Sequence, residues 1–222
     1  MIKIGITGQV GFIGTHLFNY LSLRKTEVEL IPFRDDFFQN QNILEAFVGK
    51  CDAIVHLAAL NRHNDPQTIY DTNIELVNKL ITALETTGVK PHVLFSSSTQ
   101  EERDNIFGKS KREGRRLLSE WADRSGGIFT GMVIPNVFGP FGNPHYNSVV
   151  ATFSHQLTHD EEPGIEIDAQ LKLIYIGDLV KTIWYLIENK IADNEFKVKP
   201  TAEACVTEIL ALLKSFRTQY FE

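Results

Sequence analysis

"IKIGITGQVGFIG" (2–14) decides the fold. The apolar and β-branched run at 2–7 is too short for a helix and reads as a buried strand. "GFIGTHLFNYLSLR" (11–24) carries its apolar residues at helical spacing. Between them lie Gly8, Gly11 and Gly14, spaced G-x-x-G-x-x-G. Three glycines alone are weak evidence, but directly after a strand and opening a helix they stand where a dinucleotide pyrophosphate is received. Gly8 permits the tight turn, Gly11 lets the phosphates approach the backbone, and Gly14 lets the helix pack close to the sheet. The N–H groups at the helix start, Phe12 and Ile13 among them, then face the phosphates. The same glycines would also suit a plain strand-to-helix turn.

Outward from this unit the rhythm repeats. Strands are expected at 28–33, 53–58, 92–97 and 128–136, and helices at 41–49, 68–87 (ended by Gly88) and 108–124. Repeated βα units with near-continuous apolar strands give an α/β fold, a Rossmann-type doubly wound parallel sheet covered by helices on both faces. After about residue 137 the rhythm breaks. A loop at 138–147, a helix, short strands near 165–168 and 172–176, and a helix from Asp178 suggest a small C-terminal substrate-binding lobe. The expected organisation is one domain, with residues 1–136 as the dinucleotide-binding part and 137–222 mainly the lobe.

Of 222 residues, 43% are apolar and 23% charged, with a net charge of -6. An acidic balance offers no general attraction for nucleic acid or anionic membranes. Cys51 and Cys205 are too few for a disulfide framework and fit reduced thiols. With neither a basic leader nor a run approaching the ~20 apolar residues of a membrane span, the expectation is a soluble, cytoplasmic protein without membrane insertion.

Further candidates lie at the strand ends. "LIPFRDD" (30–36) puts Arg34 where a dinucleotide's ribose would lie. An arginine there suits a 2′-phosphate and so NADP, with NAD as the alternative if Arg34 only offsets Asp35 and Asp36. In "HLAALNR" (56–62), Leu57, Ala58 and Ala59 would let the cofactor lie against the backbone; Arg62 would serve a phosphate or point to solvent. Asn73, polar inside a long helix, would orient a neighbouring loop. Ser98 ends "FSSS" (95–98), and "NIFGKSK" (105–111) sets Phe107 and Lys111 four apart on one helix face. Lys111 would hold the nicotinamide ribose, or be a solvated lysine like Lys109. "IPNVFGPFGNPHYNSV" (134–149) would make a stiff substrate loop or an ordinary surface loop.

Together "TGQVGFIG", "HLAAL", "FSSS", "FGKSK", "PNVFGP" and "IYIGDLV" with Asp178 resemble the extended short-chain dehydrogenase/reductases. That family comprises NAD(P)-dependent nucleotide-sugar epimerases, dehydratases and reductases. "HLAALNR", the short gap from "SSS" to "FGKSK", and "PHYNSVVATF" resemble in particular its capsular-polysaccharide keto-sugar reductases. The resemblance implies NADP-dependent reduction of a 4-keto-6-deoxy sugar carried on UDP or dTDP, in bacterial surface-polysaccharide biosynthesis. It makes Ser98 and Lys111 catalytic, puts Phe107 in the place of the catalytic tyrosine, and gives the cofactor Pro135 and the substrate Asn136 and Asn147. In such reductases a separate zinc-containing cupin handles epimerisation; within these 222 residues neither a cupin nor a metal site is expected, and a homodimer is compatible. Phe107 keeps the ring and loses the proton, so activity should be impaired unless another acid, with His145 and Tyr146 as the nearest candidates, replaces it. A nucleotide-sugar epimerase or dehydratase and a non-catalytic dinucleotide sensor are the alternatives.

Overall fold

The computed structural model describes residues 1–221. In chain order it contains β1 (Ile2–Thr7), α1 (Phe12–Ser22), β2 (Val28–Ile31), α2 (Gln41–Val48), β3 (Ala53–His56), α3 (Pro66–Thr87), β4 (His92–Ser98), α4 (Ile106–Ser125) and β5 (Phe129–Ile134). There follow β6 (Asn136–Phe138), α5 (Val149–Thr158), β7 (Gln170–Tyr175), α6 (Ile176–Glu188), β8 (Asp193–Lys197), β9 (Ala202–Cys205) and α7 (Val206–Phe221). Two 3-10 turns, Asp35–Gln39 and Thr99–Glu102, follow β2 and β4.

Six strands pair in the order β2-β1-β3-β4-β5-β8, every pair parallel. The chain leaves β1 for β2 and returns to β3 on the other side, so the order reverses at β1. Open α/β sheets take ligands beyond the strand ends at such a reversal. Every residue of β3 and β5 is buried, as a sheet covered on both faces requires. Strand β2 ends earlier than the sequence suggests because Phe33 turns into the core, its ring 4.9 Å from Phe47 and 5.4 Å from Phe38 of the following turn. Helix α3 opens with Pro66 behind the Asp65 cap and ends at left-handed Gly88, φ 67°.

The chain forms two compact units. One holds residues 1–134 and 180–198; the other holds 135–179 and the segment from Lys199 onward. The single lobe expected over 137–222 is therefore interrupted. Strand β8 returns to the first unit because β5, wholly buried, has backbone groups on its outer edge that need a partner, and β8 supplies it. The polar "DNEFK" of β8 hides this in the sequence, since an edge strand needs little apolar pattern.

In the second unit β6, β7 and β9 form a separate sheet, with β6–β7 parallel and β7–β9 antiparallel. Phe153, Leu157, Leu173, Val206, Ile209 and Leu210 make its core. The strand expected at 165–168 does not form. The Asp168 carboxylate instead accepts from Thr207 N at 2.9 Å and Thr207 Oγ1 at 2.8 Å, tying this segment to the first turn of α7. Among the described residues no helix is long and apolar enough to cross a membrane.

Two histidines are built into the first unit's interior as neutral bases. His56 is fully buried, and burial, followed by the Lys111 charge, pulls its pKa down to about 3. Burial pulls His92 down to about 4. The unfolded chain protonates both near 6.5, while the folded chain resists until those lower values, so stability falls as pH drops below 6.5. Each histidine should withdraw up to about 1.4 kcal/mol per pH unit. Urea midpoints between pH 6.5 and 5 should drop accordingly, and His92→Gln should flatten the slope; an unchanged slope in that variant would contradict its neutral burial.

Candidate active site and dinucleotide cradle

Gly8 sits at φ 69°, and a Cβ there would stand 2.7 Å from Ala58 N. A Cβ on Gly14 would stand 2.3 Å from Gly8 O. The turn after β1 is thus pressed against the end of β3 on one side and its own helix on the other. Thr7 closes the seam: Thr7 O accepts from Leu57 N at 3.2 Å, Thr7 Oγ1 accepts from Ala58 N at 3.3 Å, and the same hydroxyl lies 2.7 Å from His56 Nδ1.

Gly11 caps α1 with extended backbone and offers no side chain, and the first turn of α1 holds no acid. Helices α2 to α5 each have a capping side chain, from Asn40, Asp65, Asn105 and Ser148. The first N–H groups of α1, around Phe12 and Ile13, therefore have no side-chain acceptor. Their dipole favours an anion.

Across β3 and β4 the second cluster begins. The His56 ring stacks on Phe95 at 5.8 Å, and Lys111 Nζ lies 5.1 Å from the centre of Phe95 and 5.6 Å from that of Phe107. Phe107 is in the first turn of α4, set by the Asn105 carboxamide accepting from Gly108 N at 2.7 Å. Lys111, one turn on, is 5% exposed and has no hydrogen-bond acceptor or ion pair among the described residues. Burial, opposed by the charge of Glu101, lowers its pKa from 10.5 to about 8. It is not a solvated lysine: Lys109, by contrast, is half exposed and pairs with Asp104 at 2.6 Å. Ser98, at the tip of β4, accepts from Gln100 N at 3.2 Å.

Asn73 does orient a loop. Its Oδ1 accepts from Leu60 N at 2.7 Å, and its Nδ2 donates to Leu60 O at 3.1 Å and Ser110 Oγ at 3.0 Å. This pins the stretch after Ala59 to α4 beside Lys111. Arg34 is exposed and pairs with Asp36 at 2.7 Å.

The structure thus brings together Gly8, Gly11, Gly14, Leu57 and Ala58 as one cradle, and Phe107 with Lys111 as a second cluster, joined through His56 and Phe95. Pro135, Asn136 and Asn147 belong to the second unit. There Pro135 is buried, Asn136 donates to Lys172 O at 3.2 Å, and Asn147 is exposed in the loop before α5. His145, at φ 56°, donates its N–H to Thr152 Oγ1 at 2.9 Å. Among the described residues no group of three or more His, Cys, Asp or Glu could hold a metal ion.

Sequence reading missed Thr7, His56 and the buried Glu101–Arg115 pair. The signal for Arg115 was present: positions 107, 111 and 115 recur every four residues on one face of α4.

Comparison with known proteins agrees with this fold. A family model described as the NAD dependent epimerase/dehydratase family matches residues 4–198. A UDP-2-acetamido-2,6-beta-L-arabino-hexul-4-ose reductase of Pseudomonas aeruginosa is 33% identical over 219 residues, which cover 97% of this chain and 58% of that protein. The capsular polysaccharide assembling protein CapF from Staphylococcus aureus superposes with a TM-score of 0.81 at 30% identity, covering 99% of this chain and 59% of that one. RMD from Pseudomonas aeruginosa, solved with NADPH, has a TM-score of 0.84 at 22% identity over 98% of this chain and 83% of that one, a likeness of fold. The chain spans less than two thirds of the length of the first two.

Proposed function

The chain belongs to the NAD dependent epimerase/dehydratase family, and from that premise we propose that it binds NADP(H) and acts in reducing a nucleotide-activated 4-keto-6-deoxy sugar, at a rate limited by Phe107. The observation that carries the proposal is Lys111, a lysine only 5% exposed and without a hydrogen-bond acceptor or ion pair among the described residues, linked to the glycine turn through Phe95, His56 and Thr7. Holding a charge in so little solvent is costly. A ligand offering hydroxyl oxygens, such as a ribose, would answer it.

The residues present fit a dinucleotide: α1 has an uncapped N-terminus, Gly8 and Ala58 leave no room for side chains, and Lys111 lacks an acceptor. When bound, NADPH supplies the hydride. Gly8, Gly11 and Gly14, with the N–H groups of Phe12 and Ile13, hold the pyrophosphate. Leu57, Ala58 and Ala59 line its path, and Arg34 takes the 2′-phosphate in exchange for Asp36. Lys111 holds the nicotinamide ribose. Ser98 donates a hydrogen bond to the substrate carbonyl oxygen. The reductase relative supports a UDP-linked keto-sugar as substrate. Phe107 also favours a second reading, a dinucleotide sensor without catalysis, because it has no proton to give.

Calorimetric titration with NADPH and NADH tests the first step. NADPH should bind more tightly, and Arg34→Ala should remove the preference. Equal or tighter NADH binding by the unaltered chain would reverse the cofactor assignment. Failure to bind either would remove the proposal.

A further inference from the structure

Glu101 is a buried acid directly after the strand tip that carries Ser98, and nothing in hydride transfer calls for it. Its side chain is 6% exposed. It accepts from Ser97 Oγ, from Arg115 Nε at 3.0 Å and from Arg115 Nη2 at 2.7 Å. Arg115 also donates Nη1 to Asn194 O at 2.9 Å in β8. It lies flat over Gly131 of β5, where a Cβ would stand 2.6 Å from Arg115 Cδ. One ion pair thereby ties the end of β4, the turn after it, α4 and β8. Arg115 is one helical turn beyond Lys111.

We propose that Glu101 and Arg115 are positioning residues for Lys111: their pair fixes the turn presenting Ser98 and sets the charge balance under which the Lys111 ammonium is held. The functional meaning of this rests on the reading of Lys111 as the ribose anchor. Stability alone is a poor reason for the pair, since a buried ion pair is often matched or bettered by apolar residues of similar volume.

The groups facing Lys111 are few. β4 brings Phe95, with the neutral His56 of β3 stacked on it; α4 brings Phe107; α3 brings the uncharged Asn73 through Ser110; the Glu101 carboxylate acts on the ammonium through its charge, and Arg115 stands one helical turn along α4. Burial works against the ammonium and the Glu101 carboxylate works for it. Arg115 partly cancels that carboxylate. Removing either partner should therefore move Lys111 in opposite directions, whereas a purely structural clasp would give both variants the same loss of stability and leave Lys111 where it was.

The experiment follows the Lys111 Cε–Hε signal of 13C-lysine-labelled full chain across pH, assigned by its loss in Lys111→Arg. Glu101→Gln keeps hydrogen-bonding capacity without charge and should lower the midpoint by about one pH unit. Arg115→Met leaves Glu101 ionised at that pH with its main counter-charge gone, and should raise it. Arg115→Lys, which keeps the charge, should stay near the parent. An unmoved midpoint in Glu101→Gln, or a shift of the same sign in Glu101→Gln and Arg115→Met, overturns the proposal; if Arg115→Met does not fold, Glu101→Gln against Arg115→Lys still decides. NADPH titration of the same samples separates the two ideas, since absent binding defeats the ribose-anchor reading while the lysine signal still judges the charge balance.

Discussion

Phe107→Tyr should raise keto-sugar reduction by roughly 10²–10⁴-fold and leave NADPH affinity nearly unchanged. The factor corresponds to about 3–5 kcal/mol of barrier, the usual contribution of one positioned general acid. Position 107 lies in the first turn of α4, and Lys111 Nζ is 5.6 Å from the ring centre. The lysine charge beside the new phenol favours phenolate, so that phenol should titrate below its free value. Single-turnover NADPH oxidation with a UDP-4-keto-6-deoxy-hexosamine, for both proteins across pH, is the measurement. If both ligands bind and the restored hydroxyl gives no turnover, Phe107 is no lost acid and the sensor reading takes over.

Lys111→Met is expected to stabilise the protein and cripple it at once. The fall of the Lys111 pKa from 10.5 to about 8 marks an ammonium that the fold tolerates at a cost, about 3 kcal/mol at neutral pH. Methionine fills much the same space without charge, so the melting temperature at pH 7 should rise by roughly 5–10 °C. With Lys111 as the ribose anchor proposed above, NADPH binding should weaken roughly 10–100-fold through lost charge-assisted hydrogen bonds. The pH profile supplies a second readout. Between pH 8 and 10.5 the unfolded lysine holds a proton that the folded one has released, so the parent gains stability as pH rises through that window. The variant should not. A melting temperature unchanged or lowered in Lys111→Met would mean that Lys111 carries no burial penalty.

The parallel sheet was legible because its strands, such as "AIVH" and "FTGMVI", are buried on both faces and need no alternation to be recognised. The glycine cradle was legible because its demands are steric: a left-handed turn and two backbone approaches too close for a Cβ. Lys111 was legible only as a position. That it is buried and lacks a protein acceptor depends on Phe95, His56 and α3, which lie far from it in sequence. The Glu101–Arg115 pair was hidden because a lone glutamate and a lone arginine among many charges look like solvated surface. Strands β8 and β9 were hidden for a related reason, since short polar edge segments acquire strand structure from a neighbour's unpaired backbone, and local pattern is silent about neighbours.

The return of β8 to the side of β5 also bears on how the molecule is made. During synthesis the first five strands are available once Ile134 has left the ribosome, yet the outermost of them, the apolar "FTGMVI", stays an open edge until Asp193–Lys197 emerges. Everything translated in between belongs mostly to another sheet. For that interval the nascent chain carries an uncharged strand with bare hydrogen-bonding groups, the kind of edge that recruits strands from other molecules. Holding that edge until its late partner arrives is work suited to a ribosome-associated chaperone.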